Sequence, residues 1–198
     1  MKQWFTRLFC GVLLVSLAGC SSSNQLSFSV DCGDRACWRG IVPGETTQDD
    51  TIQRLAEVYG AENVSFPLSG LVEWSTSNVD SSSGGLVQFQ QGVTSGVTVD
   101  FPADTVTVRQ IIDQIGTPTY IQIVDDYRSD DLQCIAATLV YADQGIVMHL
   151  YRDLDLDHLM IGPSSYVSKI DILPQGADFT GTHTEIFAWV GYGDYCEP

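Results

Sequence analysis

Basic side chains are scarce in this sequence. Nine Lys and Arg stand against 25 Asp and Glu, giving a formal net charge of −16 over 198 residues. That balance argues against phosphate-backbone binding, which rests on Lys and Arg displacing counterions. Charge of either sign is also sparse, at 17% of residues against an average of about 25%. With 44% hydrophobic residues, the chain has the material for a packed core and lacks the composition of a disordered one. No apolar run approaches the roughly 20 residues of a membrane-spanning helix, so the body is expected to be soluble. There are three histidines, His149, His158 and His183. Neither a His-Glu-x-x-His helix nor a Gly-x-Ser-x-Gly elbow occurs, and a Ser-His-Asp triad is defined by geometry that sequence does not show. The histidines therefore read as ordinary strand or surface residues, and the expectation is no enzyme, no metal site and no cofactor.

The start of the chain is more informative. Lys2 and Arg7 precede a short apolar stretch, Leu8 to Leu17, which ends in Leu17-Ala18-Gly19-Cys20. A positive start, a short apolar middle and small residues at a cleavage point describe a secretory signal peptide. The Leu17-Ala18-Gly19-Cys20 ending, followed by Ser21-Ser22-Ser23-Asn24-Gln25, resembles the lipobox of bacterial lipoproteins. That resemblance implies cleavage before Cys20, a diacylglyceryl group on its sulfur and often acylation of the new amino terminus. Two or more acyl chains anchor stably, whereas one holds only marginally. Loss of Lys2 and Arg7, two positive charges, takes the formal −16 to −18. The expected organisation is a signal peptide over 1–19, a lipidated flexible tether over 20–31, and a folded body held extracytoplasmically at a membrane.

Cys32, Cys37, Cys134 and Cys196 remain in the body, an even number in an oxidising compartment, and disulfides are expected. Zinc is disfavoured because no second close cysteine pair follows Cys32 and Cys37. Four cysteines allow three connectivities and sequence alone does not choose. The pairing preferred here is Cys32–Cys196 with Cys37–Cys134, tying the N-terminal segment to the middle and the end of the chain.

Two helices are legible. Thr47 is a candidate N-cap with Asp50 three residues on, and Ile52, Leu55, Ala56 and Tyr59 form one apolar face that Gly60 ends. A second helix is predicted from Asp104 or Thr105, with Val108, Ile111, Ile112 and Ile115 on one face and a stop at Gly116 and Pro118. At a constant offset of 56, Gly40, Ile41, Ile52, Leu55, Ala56, Tyr59 and Gly60 fall on Gly96, Val97, Val108, Ile111, Ile112, Ile115 and Gly116, which suggests an internal duplication. Strands are predicted over 71–76, 86–90 and 93–99 after the first helix, and over 120–124, 135–141, 146–152 and 166–173 after the second, with a tight turn at Ala142-Asp143-Gln144-Gly145. The expected fold class is α+β: two helix-plus-antiparallel-meander repeats, 32–99 and 100–198, packed as one compact unit, the second carrying a disulfide-tied C-terminal segment.

The run Val108 to Pro118, a helix ending in Gly-x-Pro and entering a strand, resembles the SmpA/OmlA type of small lipoprotein domain. That type is related in architecture to the tandem repeats of β-lactamase inhibitory protein. The stretch Cys37 to Thr47 and the ending Trp189 to Tyr195 resemble a set of bacterial lipoproteins of unassigned function. The first resemblance implies protein–protein contact in the cell envelope rather than catalysis.

Three further features are candidates for binding. Trp189, Tyr192 and Tyr195 concentrate aromatics among glycines and would suit a binding surface if exposed, or would pack against Trp38. Asp153-Leu154-Asp155-Leu156-Asp157 supplies carboxylates for a cation, but His158 and Ser164 stand where an EF-hand loop needs Gly and Glu, so a solvated strand face is preferred. Asp125 to Asp131 reads as a charged hairpin tip. The expected activity is that of a non-catalytic, lipid-anchored module binding another protein, with small-ligand or cation binding at the surface as the alternative.

Overall fold

The computed structural model describes residues 32, 35–76, 82–126, 133–151, 160–179 and 184–195. Helix α1 spans Gln48–Tyr59 and is followed by a 3₁₀ turn, Ala61–Asn63. Strands β1 (Val64–Ser65), β2 (Leu71–Ser75), β3 (Gly84–Gln90) and β4 (Val93–Asp100) come next. Helix α2 (Val108–Ile115) then leads into β5 (Tyr120–Asp126), β6 (Gln133–Tyr141) and β7 (Ile146–Leu150). The chain ends with β8 (Met160–Ile161), β9 (Val167–Ile172), β10 (Thr184–Ala188) and β11 (Gly193–Asp194). The α+β class is correct, and the sheet dominates it.

Nine strands form one antiparallel sheet in the order β1-β2-β3-β4-β9-β7-β6-β5-β10, while β11 pairs with β8 apart from it. The two meanders are joined by β9: Ile172 is the register partner of Val97 in β4 and of Ile146 in β7. Period-two alternation decides the faces. Val72, Val87, Val97, Ile172 and Ile146 lie in register across one face, all buried. Both helices belong to that face, α1 through Leu55 and Tyr59 and α2 through Val108 and Ile111. Burying each such side chain contributes about 1.5–3 kcal/mol.

The first helix begins where its cap predicts. The Thr47 side chain accepts from the Asp50 amide at 3.2 Å and its hydroxyl donates to the Asp50 carboxylate at 2.9 Å. The second begins later than expected. Asp104 has φ 63°, outside the helical region, and the N-cap is Thr107. Its hydroxyl accepts from the Gln110 amide at 3.3 Å while Gln110 Oε1 accepts from the Thr107 amide at 2.8 Å, the two halves of a capping box. The C-caps, Gly60 and Gly116, keep the offset of 56, but the N-caps do not, because α1 has 12 residues and α2 has 8. Upstream of the helices the offset places unlike structures together. Gly40 and Ile41 belong to a tight turn in which Ile41 bridges Trp38, whereas Gly96 and Val97 lie within β4.

The strand expectations hold within two or three residues at each end. The predicted tight turn is a 3₁₀ turn, Ala142–Gln144, closed by Gly145 at φ 72°, a left-handed position that favours glycine. A side chain there would also run into the Leu173 carbonyl. Sequence periodicity missed β10, the edge strand beside β5, and the two-residue strands β1, β8 and β11.

Candidate functional site

At the C-terminal end, β10 pairs with β5 from Thr184↔Val124 to Ala188↔Tyr120 and, among the described residues, has no strand on its other side. Ile186 and Phe187 are 49% and 37% exposed, and alternation sends them to opposite faces. The chain then turns back onto the helix-bearing face. Trp189 is half-buried against the core, stacked on Tyr195 with ring centroids 5.9 Å apart and meeting Tyr192 edge-on at 5.9 Å. The Tyr195 hydroxyl donates to the Gly191 carbonyl at 2.6 Å and accepts from the Val190 amide at 3.2 Å. Of the three aromatics singled out, Trp189 and Tyr195 are thus largely packed, while Tyr192 is 44% exposed beside Val190 at 85%. Trp38 has a different polar partner, its indole N–H donating to the Tyr59 hydroxyl at 3.0 Å. Tyr141, behind Tyr192, is buried with no hydrogen-bond partner for its hydroxyl among the described residues. Burial, then the nearby Tyr192, pushes that phenol well above its ordinary range.

On the other face of the sheet, β4, β9 and β7 assemble a polar group that sequence gave no reason to connect. His149 Nε2 lies 2.7 Å from Asp171 Oδ2, and the Thr98 hydroxyl donates to Asp171 Oδ1 at 2.6 Å. Lys169 Nζ stands 4.0 Å from the same carboxylate. Burial opposes ionisation of Asp171, but the hydrogen bonds from His149 and Thr98, with the charges of His149 and Lys169, outweigh it and hold the carboxyl below its ordinary value. Neighbouring Asp100 moves the other way, raised by burial and by Asp171 against the pull of Lys169. The Thr98 hydroxyl and the His149 imidazole thus meet on the two oxygens of one carboxylate, which makes Asp171 the hub of the set. Each of these polar groups has a partner beneath a partly covered surface.

The cysteine pairing requires a correction. Cys32 is bridged to Cys37, five residues away with Cα atoms 6.3 Å apart, not to Cys196. Cys37 is therefore not available to Cys134. Cys37 sits buried beside Trp38, and its nearest thiol in sequence is the one that reaches it. The C-terminal segment is held to the body by Trp189 and Tyr195 packing and by β11–β8 pairing, and not by Cys32. Cys134 lies in β6, but its side chain falls outside the described residues, as do Cys196 and the lipidation candidate Cys20. The same holds for His158, His183, the Asp153–Asp157 run and residues 127–132 of the acidic tip. Among the described residues, no three His, Cys, Asp or Glu side chains come together in a way that could hold a metal ion, and no helix is long and apolar enough to cross a membrane.

No protein-family model, curated protein or solved structure matches the chain.

Proposed function

We propose that the protein is a lipid-anchored, non-catalytic binding module of the cell envelope, outside the cytoplasm, that presents the β10 edge and the aromatic turn after it to another protein. The observation that carries the binding half of this reading is the edge itself. Five strand residues, without a partner on the outer side among the described residues, carry exposed Ile186 and Phe187, and exposed Val190 and Tyr192 follow directly. Unpaired backbone groups along an edge offer hydrogen bonds to an extended partner segment, and alternate side chains supply the selectivity. The anchoring half rests on Leu17-Ala18-Gly19-Cys20 after a short apolar stretch.

Within this reading the architecture is a duplicated unit of one helix and an antiparallel meander. What supports the duplication is the recurrence of one arrangement: each helix has a threonine N-cap that bridges the entry to a strand, Thr47 to Val93 at the start of β4 and Thr107 to Tyr166 just before β9, and each ends at a glycine.

Affinity capture from detergent-solubilised envelopes tests the partner. The wild-type chain should retain a specific protein that an Ile186→Lys, Tyr192→Ser variant of unchanged melting temperature loses. Retrieval of the same proteins by both would sink the binding surface. Mass spectrometry of the mature N-terminal peptide tests the anchor, which falls if Cys20 carries no lipid.

A further inference from the structure

The opposite edge of the sheet carries a second exposed apolar feature that the binding reading does not use. Between β1 and β2 the chain runs Phe66-Pro67-Leu68-Ser69-Gly70, and residues 65–69 are all exposed, Phe66 at 59% and Leu68 at 68%. No charged side chain occurs from Val64 to Val72 in a chain of formal charge −16. The backbone holds the loop in place: the Leu71 amide donates to the Leu68 carbonyl at 3.1 Å, and the Phe89 amide to the Gly70 carbonyl at 2.8 Å. Two large apolar side chains are thus fixed outward on a short turn where the core does not need them.

Cys32, the first described residue, is connected to this same edge through a run of contacts. Cys32 is bonded to Cys37, which adjoins Trp38. The Trp38 indole donates to Tyr59, the last residue of α1. Tyr59 stacks on Trp74 at 5.8 Å, its carbonyl accepts from Asn63 at 2.7 Å, and Trp74 is the register partner of Val64. Two residues beyond Val64 is Phe66. Eleven residues lie between Cys20 and Cys32, a length of chain that reaches at most about 40 Å.

We infer that the Phe66–Leu68 loop is a lipid-contacting tip, inserted into the bilayer surface to which Cys20 moors the chain. This rests on the anchor proposed above. Once an acyl anchor holds the body at the surface, a two-residue apolar contact is intramolecular in effect and adds a second attachment point, too weak to recruit the protein but strong enough to orient it. Contact at this edge leaves the β10 edge, at the far end of the nine-strand order, pointing away from the lipid. A body this acidic is repelled by anionic headgroups, so the tip should insert best into zwitterionic surfaces.

The test uses full-length lipidated protein carrying Phe66→Trp, reconstituted in phosphatidylcholine vesicles whose acyl chains bear bromine, a quencher that acts only by near contact. The matched control is Ile186→Trp at the opposite edge. We expect the emission added by Phe66→Trp to be blue-shifted and largely lost to bromine, and that of Ile186→Trp to be unaffected. Adding Leu68→Glu should abolish the quenching, and anionic lipid should reduce it at low salt but not at high salt. Unquenched, solvent-exposed emission from Phe66→Trp, with Cys20 lipid confirmed by mass, would overturn the inference while leaving the anchor intact. Absence of lipid on Cys20 would overturn both. A lipid-independent blue shift that grows with protein concentration, accompanied by a dimer in light scattering, would overturn it in favour of a contact between two copies.

Discussion

Thr51 and Thr94 are both fully buried, and their hydroxyls lie 2.8 Å apart between α1 and β4. Each is the other's partner, so replacing one by valine leaves a buried hydroxyl without one. Thr51→Val or Thr94→Val alone should cost about 1–3 kcal/mol in denaturant unfolding, and the double variant should recover most of it. Additive losses in that cycle would refute the pairing. Apolar periodicity assigned the buried stripe of α1 to Ile52, Leu55, Ala56 and Tyr59, whereas its centre runs Thr51, Leu55, Tyr59. A threonine can sit there only because another strand brings a second hydroxyl, and no local pattern announces a partner 43 positions away. Asp171 is similar, its two partners lying 22 and 73 positions away. Its folded-state carboxyl titrates below its ordinary 3.8. The stabilisation is therefore complete above the unfolded value and is lost as pH falls below about 4, where the unfolded chain takes the proton first. Asp171→Asn should lower the melting temperature at pH 7 and lower it less at pH 3. An equal loss at both values would show that the ionised form contributes nothing.

Among the elements, those with local punctuation were legible and those without it were not. Thr47, Gly60 and Gly116 mark helix ends within one turn of chain, and the structure uses all three. The start of α2 was misplaced because Asp104 and Thr105 look like caps as much as Thr107 does; Gln110, three residues after Thr107, was the signal that separates them. Thr107→Ala should destabilise by about 1 kcal/mol, whereas Thr105→Ala, whose hydroxyl donates to the Pro102 carbonyl rather than capping the helix, should cost much less. Equal effects would place the cap elsewhere. The sheet offers a comparable discriminator at Gly85, where a methyl group would overlap both the Trp74 ring and the Thr98 carbonyl. Gly85→Ala should cost about 1–3 kcal/mol through overpacking, measurable by chemical denaturation. The edge strand β10 escaped notice because Thr184-Glu185-Ile186-Phe187-Ala188 has neither clean alternation nor turn signals that distinguish it, and its pairing with β5 is settled only in three dimensions.

For the molecule as a whole, composition and alternation were enough for the α+β class, while strand order was not. The insertion of β9 between β4 and β7 depends on register between segments far apart in sequence, such as Val97 with Ile172. The cysteines show the same limit, because four thiols define three pairings without ranking them. With Cys32 bonded to Cys37, the remaining connectivity is Cys134–Cys196, and non-reducing peptide mapping should recover those two pairs. A Cys32–Cys196 peptide would contradict this. A bridge closing so short a loop contributes only about 2 kcal/mol, so reduction of Cys32–Cys37 should lower the melting point without unfolding the body.

The position of β9 also governs how the molecule can be made. As the chain emerges from whatever delivers it, β4 is complete long before β9 exists, and its outer flank stays bare in the interval. The first half can pair β1 to β4 among themselves, but β4 keeps one open flank until β9 arrives. Closure of the whole sheet waits for the stretch around Ile172, and until it arrives the bare flank of β4 is open to pairing with another chain.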